Sequence, residues 1–340
     1  MVVKVSGRDL IELFELFIKS TKVMFNFKVS NSKLSVQVLE DYTACTEIEC
    51  TIVEYSGSSE VSLWITSAIF TISKDFDVEI KIGDATSTFS QGFNECIFKN
   101  EWEARREFPD YSNVVLTNAF ANRLKYIMHS ITTCNPLAKE LSIPYPDPMF
   151  SHGHIYMDYG QTFFIESIDY PEFCITSNDM KDVVYKLEED AQMCYMHEYN
   201  VLLFISGKYE FWVPVNNYNL QGSTIANMDK LLSNSNLITT VTFKEHLTPM
   251  QVVAQAYQKK RVELSISDGV FRVAAISPDN RTVIGNLIGM PKISISITPN
   301  QLSVIAKIFK EDDDIEVRRG VNCLILKKQE KNLLLAGLLY

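Results

Sequence analysis

The sequence predicts an α+β chain of three tandem repeats of one domain, each two helices packed on antiparallel sheets. Two observations predict it. The first is a pattern that returns in each third of the 340 residues: an Ile-Thr step, a short amphipathic helix, an Asp, then alternating strands. It reads Ile65-Thr66-Ser67-Ala68-Ile69-Phe70 with Asp77-Val78-Glu79-Ile80-Lys81-Ile82-Gly83 in the first third. In the middle third it reads Ile175-Thr176-Ser177-Asn178-Asp179-Met180, with Asp190 opening the strand region. The last third has Ile297-Thr298-Pro299-Asn300-Gln301-Leu302 and Asp314-Ile315-Glu316-Val317-Arg318-Arg319-Gly320. A period of roughly 110–120 residues is too long for a solenoid repeat and matches a small domain.

The second observation is a matching front half in each copy. Val5-Ser6-Gly7-Arg8-Asp9-Leu10, Leu116-Thr117-Asn118-Ala119-Phe120 and Leu247-Thr248-Pro249-Met250-Gln251-Val252 each place a Ser or Thr where a helix N-cap belongs. Such a hydroxyl accepts a bond from a free backbone N–H. Thr248-Pro249 carries the strongest signal, because proline is tolerated at the first helical position. The predicted helices cover residues 6–22, 66–74, 117–131, 176–187, 248–261 and 298–310. After each front helix the period drops to two, as in Leu34, Val36 and Val38, then Tyr42, Ala44, Thr46, Ile48, Cys50 and Ile52. Val262, Leu264 and Ile266 repeat this and turn at Asp268-Gly269, a good hairpin dipeptide. Domain boundaries follow at 1–112, 113–235 and 236–340. The middle copy matches least well, with Pro144, Pro146 and Pro148 in a loop.

At 46% hydrophobic, the chain has apolar content for three cores. Its seven cysteines are odd in number and contain no Cys-x-x-Cys pair, and they read as small buried hydrophobes in a reducing compartment. Cys45 and Cys50 share an alternating strand and face opposite sides of it. The N-terminus lacks a signal peptide's charged-then-apolar pattern, and no apolar run reaches the ~20 residues of a spanning helix. The expectation is a soluble cytoplasmic protein with no membrane association.

The formal net charge is −10, which looks wrong for a DNA-binding protein until it is mapped. The six predicted helices carry +8 between them, leaving −18 for the rest. Their basic side chains include Lys19, Lys22, Lys74, Arg123, Lys125, Lys181 and Lys186, then Lys259, Lys260, Arg261, Lys307 and Lys310. If one face of each helix covers a sheet and the other lines a shared cavity, that cavity is positive inside an acidic shell. Phosphates would be drawn to it without base readout. The plainer reading is open too: basic residues suit solvent-side helix positions near C-termini.

Taken together, these residues resemble the bacterial-type DNA polymerase sliding clamp, the DNA polymerase III beta subunit. Phe108-Pro109-Asp110-Tyr111 resembles the Phe-Pro segments that lead into domains of that family. Residues 31–49, with Glu40-Asp41, resemble its central strand pair, and residues 297–339 its last half-domain. The resemblance covers essentially the whole chain and implies three clamp domains per chain. It further implies a head-to-tail homodimer that forms a ring lined by twelve helices around double-stranded DNA, without sequence preference. Head-to-tail contacts close into a ring when the rotation permits. Such a protein is a processivity factor, not an enzyme, and takes no cofactor. Its partners are a DNA polymerase, a clamp-loader ATPase and itself.

Departures from the family pattern bear on the partner pocket. The family's Thr-Asp-Gly-basic stretch is matched only by Ile168-Asp169-Tyr170-Pro171-Glu172-Phe173. Residues 231–240 lack a Phe-Pro, and the C-terminus reads Ala336-Gly337-Leu338-Leu339-Tyr340. The resemblance places a peptide pocket at Asp169, Tyr170, Phe173, Leu334, Ala336 and Leu338, an apolar groove for aliphatic or aromatic anchors. Core packing in a terminal strand is the alternative for Leu334 and Leu338. The chain reads as a divergent clamp, and a phage-encoded one would act in the host cytoplasm.

Other constellations point elsewhere only weakly. His152-Gly153-His154 has no carboxylate or Cys cluster at a metal spacing and reads as a loop or strand pair. No Gly-x-x-x-x-Gly-Lys-Ser/Thr loop occurs, so loading needs a separate ATPase. No Gly-x-Ser-x-Gly elbow occurs either. Glu188-Glu189-Asp190 and Asp312-Asp313-Asp314 read as solvated loops. Trp102 and Trp212 could stack bases, but Trp212 lies in an alternating strand and reads as core. Two rival functions stand beside the clamp. One is a clamp-fold interaction protein, such as a phage transcription coactivator or scaffold, that docks a polymerase without encircling DNA. The other is a β-rich virion or assembly protein.

Overall fold

The computed structural model describes residues 1–19, 22–216, 222–242, 262–267, 270–276, 281–284, 293–309, 314–329 and 331–336. It is an α+β fold dominated by antiparallel sheets. The first third contributes β1 (Val2–Val5), β2 (Val23–Ser30), β3 (Lys33–Leu39), β4 (Thr43–Glu54), β5 (Glu60–Ile65), β6 (Val78–Ile82), β7 (Thr86–Gln91) and β8 (Asn94–Glu101), with α1 (Gly7–Phe17). The middle third contributes β9 (Thr117–Asn118), α2 (Ala121–Leu141), β10 (Met149–Ser151), β11 (His154–Asp158), β12 (Thr162–Ser167), β13 (Phe173–Cys174) and α3 (Ser177–Val184). It continues with β14 (Gln192–Met196), β15 (Val201–Ser206), β16 (Tyr209–Pro214) and α4 (Gly222–Ser233). Next come β17 (Asn236–Thr242), β18 (Val262–Ser267), β19 (Val270–Ile276), β20 (Arg281–Ile284) and β21 (Ile293–Ile297). The described chain closes with α5 (Pro299–Ile308), β22 (Asp314–Gly320), β23 (Cys323–Lys328) and β24 (Lys331–Ala336).

Two compact units emerge: residues 1–124 with 179–215, and residues 125–178 with 216–340. In the first, twelve strands form one sheet in the order β1-β6-β7-β8-β5-β2-β3-β4-β16-β15-β14-β9. β4 forks along one edge. Its start, Thr43 to Cys45, pairs with β16, while Cys50 to Glu54 pair with β1. The second pairing closes the strands of the first third on themselves, and the first carries the sheet into the middle third. The enclosed core is aromatic: Phe14 of α1 meets Phe25 edge-on at 5.1 Å and Phe89 at 6.3 Å. Phe17 reaches Tyr209 and Phe211 of β16, each at 6.3 Å, so α1 spans both sets of strands.

The outer face of that sheet is crossed by residues 102–111. Ser62, Asn26, Gln37, Cys45 and Glu210 are cross-strand neighbours in one row over five strands. Outward polar residues on a strand normally meet water, yet Ser62, Asn26 and Gln37 are buried. The chain above satisfies them. Ser62 Oγ donates to the Glu103 carbonyl at 2.8 Å, and Arg105 Nη1 donates to Asn26 Oδ1 at 3.2 Å. The Gln37 amide makes two bonds to the Arg106 backbone, at 2.8 and 3.0 Å. Phe108 then stacks on Trp212 at 4.5 Å, and Tyr111 donates to Glu210. Trp212 is buried, as its alternation predicts.

In the second unit, eight strands run β13-β10-β11-β12-β24-β23-β22-β17, and a further sheet runs β20-β19-β18-β21. The seam is β12 with β24, from Thr162↔Leu335 to Glu166↔Lys331, joining middle and last thirds. The α4 side chains Ile225 and Met228 pack on a cluster that includes Tyr156, Ile165, Ile325 and Leu334. β18 and β19 pair up to Ser267↔Val270, the strands that Asp268-Gly269 was expected to join. That dipeptide, Thr248-Pro249 and the helix expected over 248–261 lie outside the described residues.

Three expected helices differ in extent. The first ends at Phe17, with Ile18 extended and its N–H on the Phe14 carbonyl at 2.7 Å. The β-branched Ile18 and the Ser20-Thr21 step that follow propagate a helix poorly. The segment expected over 66–74 forms only a 3₁₀ turn, Ser67–Thr71, capped by Thr66. The third expectation started too early and stopped too soon. Thr117 lies in β9, bonded to the Met193 carbonyl, and α2 runs from Ala121 to Leu141 through Pro136. Its buried face, Leu124, Ile127, Met128, Ile131, Cys134, Leu137 and Ala138, keeps a three-four spacing to the end.

Candidate nucleic-acid interface and peptide-binding region

The helices supply one candidate interface. In the first unit, α1 begins at Ser6, whose Oγ accepts from the Asp9 N–H at 3.4 Å. Its inner face buries Leu10, Leu13, Phe14 and Phe17, leaving Arg8, Glu12 and Glu15 exposed. Lys19 and Lys22 follow the helix end and are exposed, with Lys22 Nζ 4.7 Å from the Trp64 ring. Lys74 follows the 3₁₀ turn and pairs with Glu15 at 2.7 Å. On α3, Lys181 is exposed. Lys186 lies beyond that helix and is half-buried, donating to the Tyr42 hydroxyl at 2.7 Å and lying 5.3 Å from the Phe17 ring. Burial holds its ammonium below the ordinary lysine range. Lys208 donates to Asp9 at 2.7 Å and thereby holds that carboxyl below the usual range.

The cations of this unit are thus of two kinds. Lys74 and Lys186 are committed to Glu15 and Tyr42, and Glu12 is a further exposed carboxylate on α1. Arg8, Lys19 and Lys181 remain at the surface, where a phosphate can be met at long range.

On α2, Arg123 and Lys125 are half-buried, whereas Tyr126, His129 and Lys139 are exposed. Lys139 escaped the sequence reading because the helix was stopped at residue 131; the apolar spacing through Leu137 was the signal that could have found it. Glu140, one residue on, accepts from Thr298 Oγ1 and Asn300 Nδ2, each at 3.0 Å, tying the end of α2 to the start of α5. That start is a full capping box: Thr298 accepts from the Gln301 N–H, and the Gln301 side chain accepts from the Thr298 N–H at 2.8 Å. Lys307 is exposed in the last turn of α5. Lys259, Lys260, Arg261 and Lys310 lie outside the described residues.

The expected pocket residues fall in the second unit. Asp169 is exposed, beside exposed Pro171 and Glu172. Tyr170 and Phe173 are buried with Phe150, whose ring stacks at 5.4 Å from the first and 4.4 Å from the second. Leu334 is fully buried in the cluster under α4, so the structure places it in the core. Ala336 pairs with Cys323 at the end of β24, and Leu338 lies outside the described residues. Asp169, Tyr170 and Phe173 are therefore brought together on one loop and short strand.

The histidine pair forms the β10–β11 hairpin turn. His152 and Gly153 both have positive φ, 50° and 71°, as a two-residue hairpin of this type requires. His152 Nδ1 lies 3.1 Å from Asp229 Oδ2. Among the described residues, no group of three or more His, Cys, Asp or Glu side chains could hold a metal ion. Nor is any described helix long and apolar enough to cross a membrane.

No protein-family model and no curated protein matches the sequence. Solved structures do match the fold. The DNA polymerase III beta chain of Streptococcus pneumoniae superposes with a TM-score of 0.73 at 14% identity, covering 99% of each chain. The DNA polymerase sliding clamp of Bacillus subtilis gives 0.74 at 12% identity, again over 99% of each. A Helicobacter pylori beta clamp bound to a DNA ligase peptide gives 0.70 at 12% identity, over 99% of this chain and 100% of that one. Across 99% of its length, this chain has the fold of the bacterial DNA polymerase III beta sliding clamps.

Proposed function

We propose that the chain is a sliding clamp: a non-enzymatic processivity factor, two copies of which close head to tail around duplex DNA. The observation that carries this reading is the clamp fold matched over nearly the whole chain, with neither partner chain left with a large unmatched portion. Under it, residues 1–112, 113–235 and 236–340 are the three clamp domains. The DNA contacts are the surface cations of the helical layers, including Arg8, Lys19, Lys22, Lys181, Lys139 and Lys307. Lys259, Lys260, Arg261 and Lys310 join them on the sequence pattern alone. Contacts of this kind are long-range and independent of base sequence, which suits sliding.

Ring closure has support in β8. Its residues pair with β7 along one edge, but on the other edge only Asn100 and Glu101 are paired, with β5. Among the described residues, 95–99 thus present an open strand edge, with Ile97 62% exposed beside it. A strand from a second copy would remove that edge. The Helicobacter clamp binds a ligase peptide; here the corresponding role is proposed for the loop around Asp169, with Tyr170, Phe173 and Leu334 as buried residues of the same unit; Ala336, and Leu338 outside the described residues, join them on the sequence pattern alone. Polymerase and clamp-loader ATPase are the expected partners, and the cytoplasm, or a phage host's cytoplasm, the expected location.

A second reading, a clamp-fold protein that docks a polymerase without encircling DNA, is favoured by the ion pair that occupies Lys74 with Glu15 and by that of Lys208 with Asp9. Topology separates the two. Chains dissociated in mild urea and reassembled with nicked circular plasmid need no loader to be trapped on DNA. The clamp reading predicts retention at high salt that is lost when the plasmid is cut once. Equal behaviour on circular and linear DNA contradicts it and supports docking.

A further inference from the structure

Trp102 is left unexplained by the clamp reading. It is 89% exposed, at the point where the chain leaves β8 to cross the outer face of the first sheet. A single exposed aromatic side chain is ordinary by itself; Trp102 stands out because of the cavity it borders. Trp102 stands at the rim of a cavity of about 490 Å³, with Val61 and Ala104 among its apolar walls. The floor is polar but already satisfied. Asn26 Nδ2 donates to Ser62 Oγ at 3.0 Å, and Asn100 accepts from Ser87 Oγ and donates to the Gly83 carbonyl, both at 2.8 Å. A ligand here is therefore recognised by the rim, not by the floor.

The rim is one-signed. Glu60, Asp84, Glu101 and Glu103 line the cavity, and no Lys or Arg does. Lys28 approaches Glu60 at 3.8 Å, Lys99 approaches Glu101 at 3.9 Å and Arg105 bonds the floor's Asn26 at 3.2 Å, all from outside the lining. Asp84 and Glu103 form no ion pair among the described residues. A phosphate backbone would be repelled, so base stacking on Trp102 is disfavoured despite the available ring. A guanidinium meets both features at once: its plane stacks on an indole face and its N–H groups bond carboxylates.

We infer that the Trp102 cavity is a docking site for an arginine-bearing basic segment of a partner protein, separate from the DNA contacts and from the loop around Asp169. One arginine covers the indole while its neighbours pair with Asp84 and Glu103. The attraction weakens with salt, as rim charges do.

The test is fluorescence anisotropy with a short fluorescein-labelled peptide alternating Arg and Ala. The inference predicts that Trp102→Ala weakens binding roughly tenfold, and that Asp84→Asn with Glu103→Gln does so to a similar degree. Glu189→Gln, an exposed carboxylate elsewhere, leaves affinity unchanged. Because all these side chains are at the surface, matched urea midpoints check that the variants fold. Equal affinity across every variant would overturn the inference, assigning the binding to the chain's overall charge of −10. Tighter binding of oligothymidylate than of the peptide, lost in Trp102→Ala, would overturn it in favour of a nucleic-acid surface.

Discussion

Gln37 shows how much a single side chain can organise. Its amide is buried on the outward face of β3 because the Arg106 peptide lies against it, each satisfying the other's donor and acceptor. Replacing it with Leu leaves that peptide's N–H and C=O without partners, which costs about 1–3 kcal/mol. Gln37→Leu should therefore lower the urea midpoint by that amount, and an unchanged midpoint would show the contact to be dispensable. Asp9 is a second case. The Lys208 hydrogen bond lowers its pKa, against the opposing effect of burial. Its stabilising contribution is present above the unfolded pKa of about 3.9 and fades as pH falls through the lower folded value. The destabilisation caused by Asp9→Asn should shrink as urea titrations move from neutral pH to below about 4. A pH-independent difference would detach it from the carboxylate charge. Ser6 and Trp212 were legible in the sequence because caps and alternation are local signals. Gln37 was not: an outward polar residue in a strand reads as solvent-facing, and its partner is 69 positions away.

At the scale of elements, strand periodicity carried further than helix length. β3 and β4 were plain in Leu34, Val36 and Val38 and in Ala44 through Cys50, since one face of each is core. Helix ends misled. A Thr at 117 suggested a start, and the helix was ended at residue 131, though the apolar face of α2 begins later and is buried through Ala138, past Pro136. The 3₁₀ turn after Thr66 shows the converse, a capped start with too few buried positions to continue. Where cap and packing agree, as at α5, the element should be sensitive to its cap. Thr298→Ala removes the N-cap bond and one of the two bonds to Glu140, leaving that from Asn300, and a loss of about 1–2 kcal/mol is expected by thermal or urea unfolding. A loss near zero would mean that Pro299 and the buried face suffice.

The whole molecule is organised by seams that the threefold repeat does not reveal. β4 with β16 and β12 with β24 carry hydrogen-bonded sheets across the thirds, so the middle third belongs partly to each compact unit. Repeat spacing counts copies but carries no information on which strand edges meet, because edge pairing depends on residues more than a hundred positions apart. The candidate DNA surface was legible as basic helix composition. The ion pairs that subtract from it, such as Lys74 with Glu15, were not, being contacts between separate elements. The open edge of β8 belongs to this scale as well. Ile97→Lys places a charge on the proposed dimer edge and should yield a monomer where the unaltered chain gives the proposed dimer, without changing the urea midpoint of the chain. A dimer that survives it would place the contact elsewhere.

Negative-stain electron microscopy of the purified protein, with its mass in solution measured alongside, is the sharpest test of a closed ring. A sliding clamp gives a six-lobed ring with an open centre at twice the chain mass. A solid or elongated particle at the mass of one chain would contradict it.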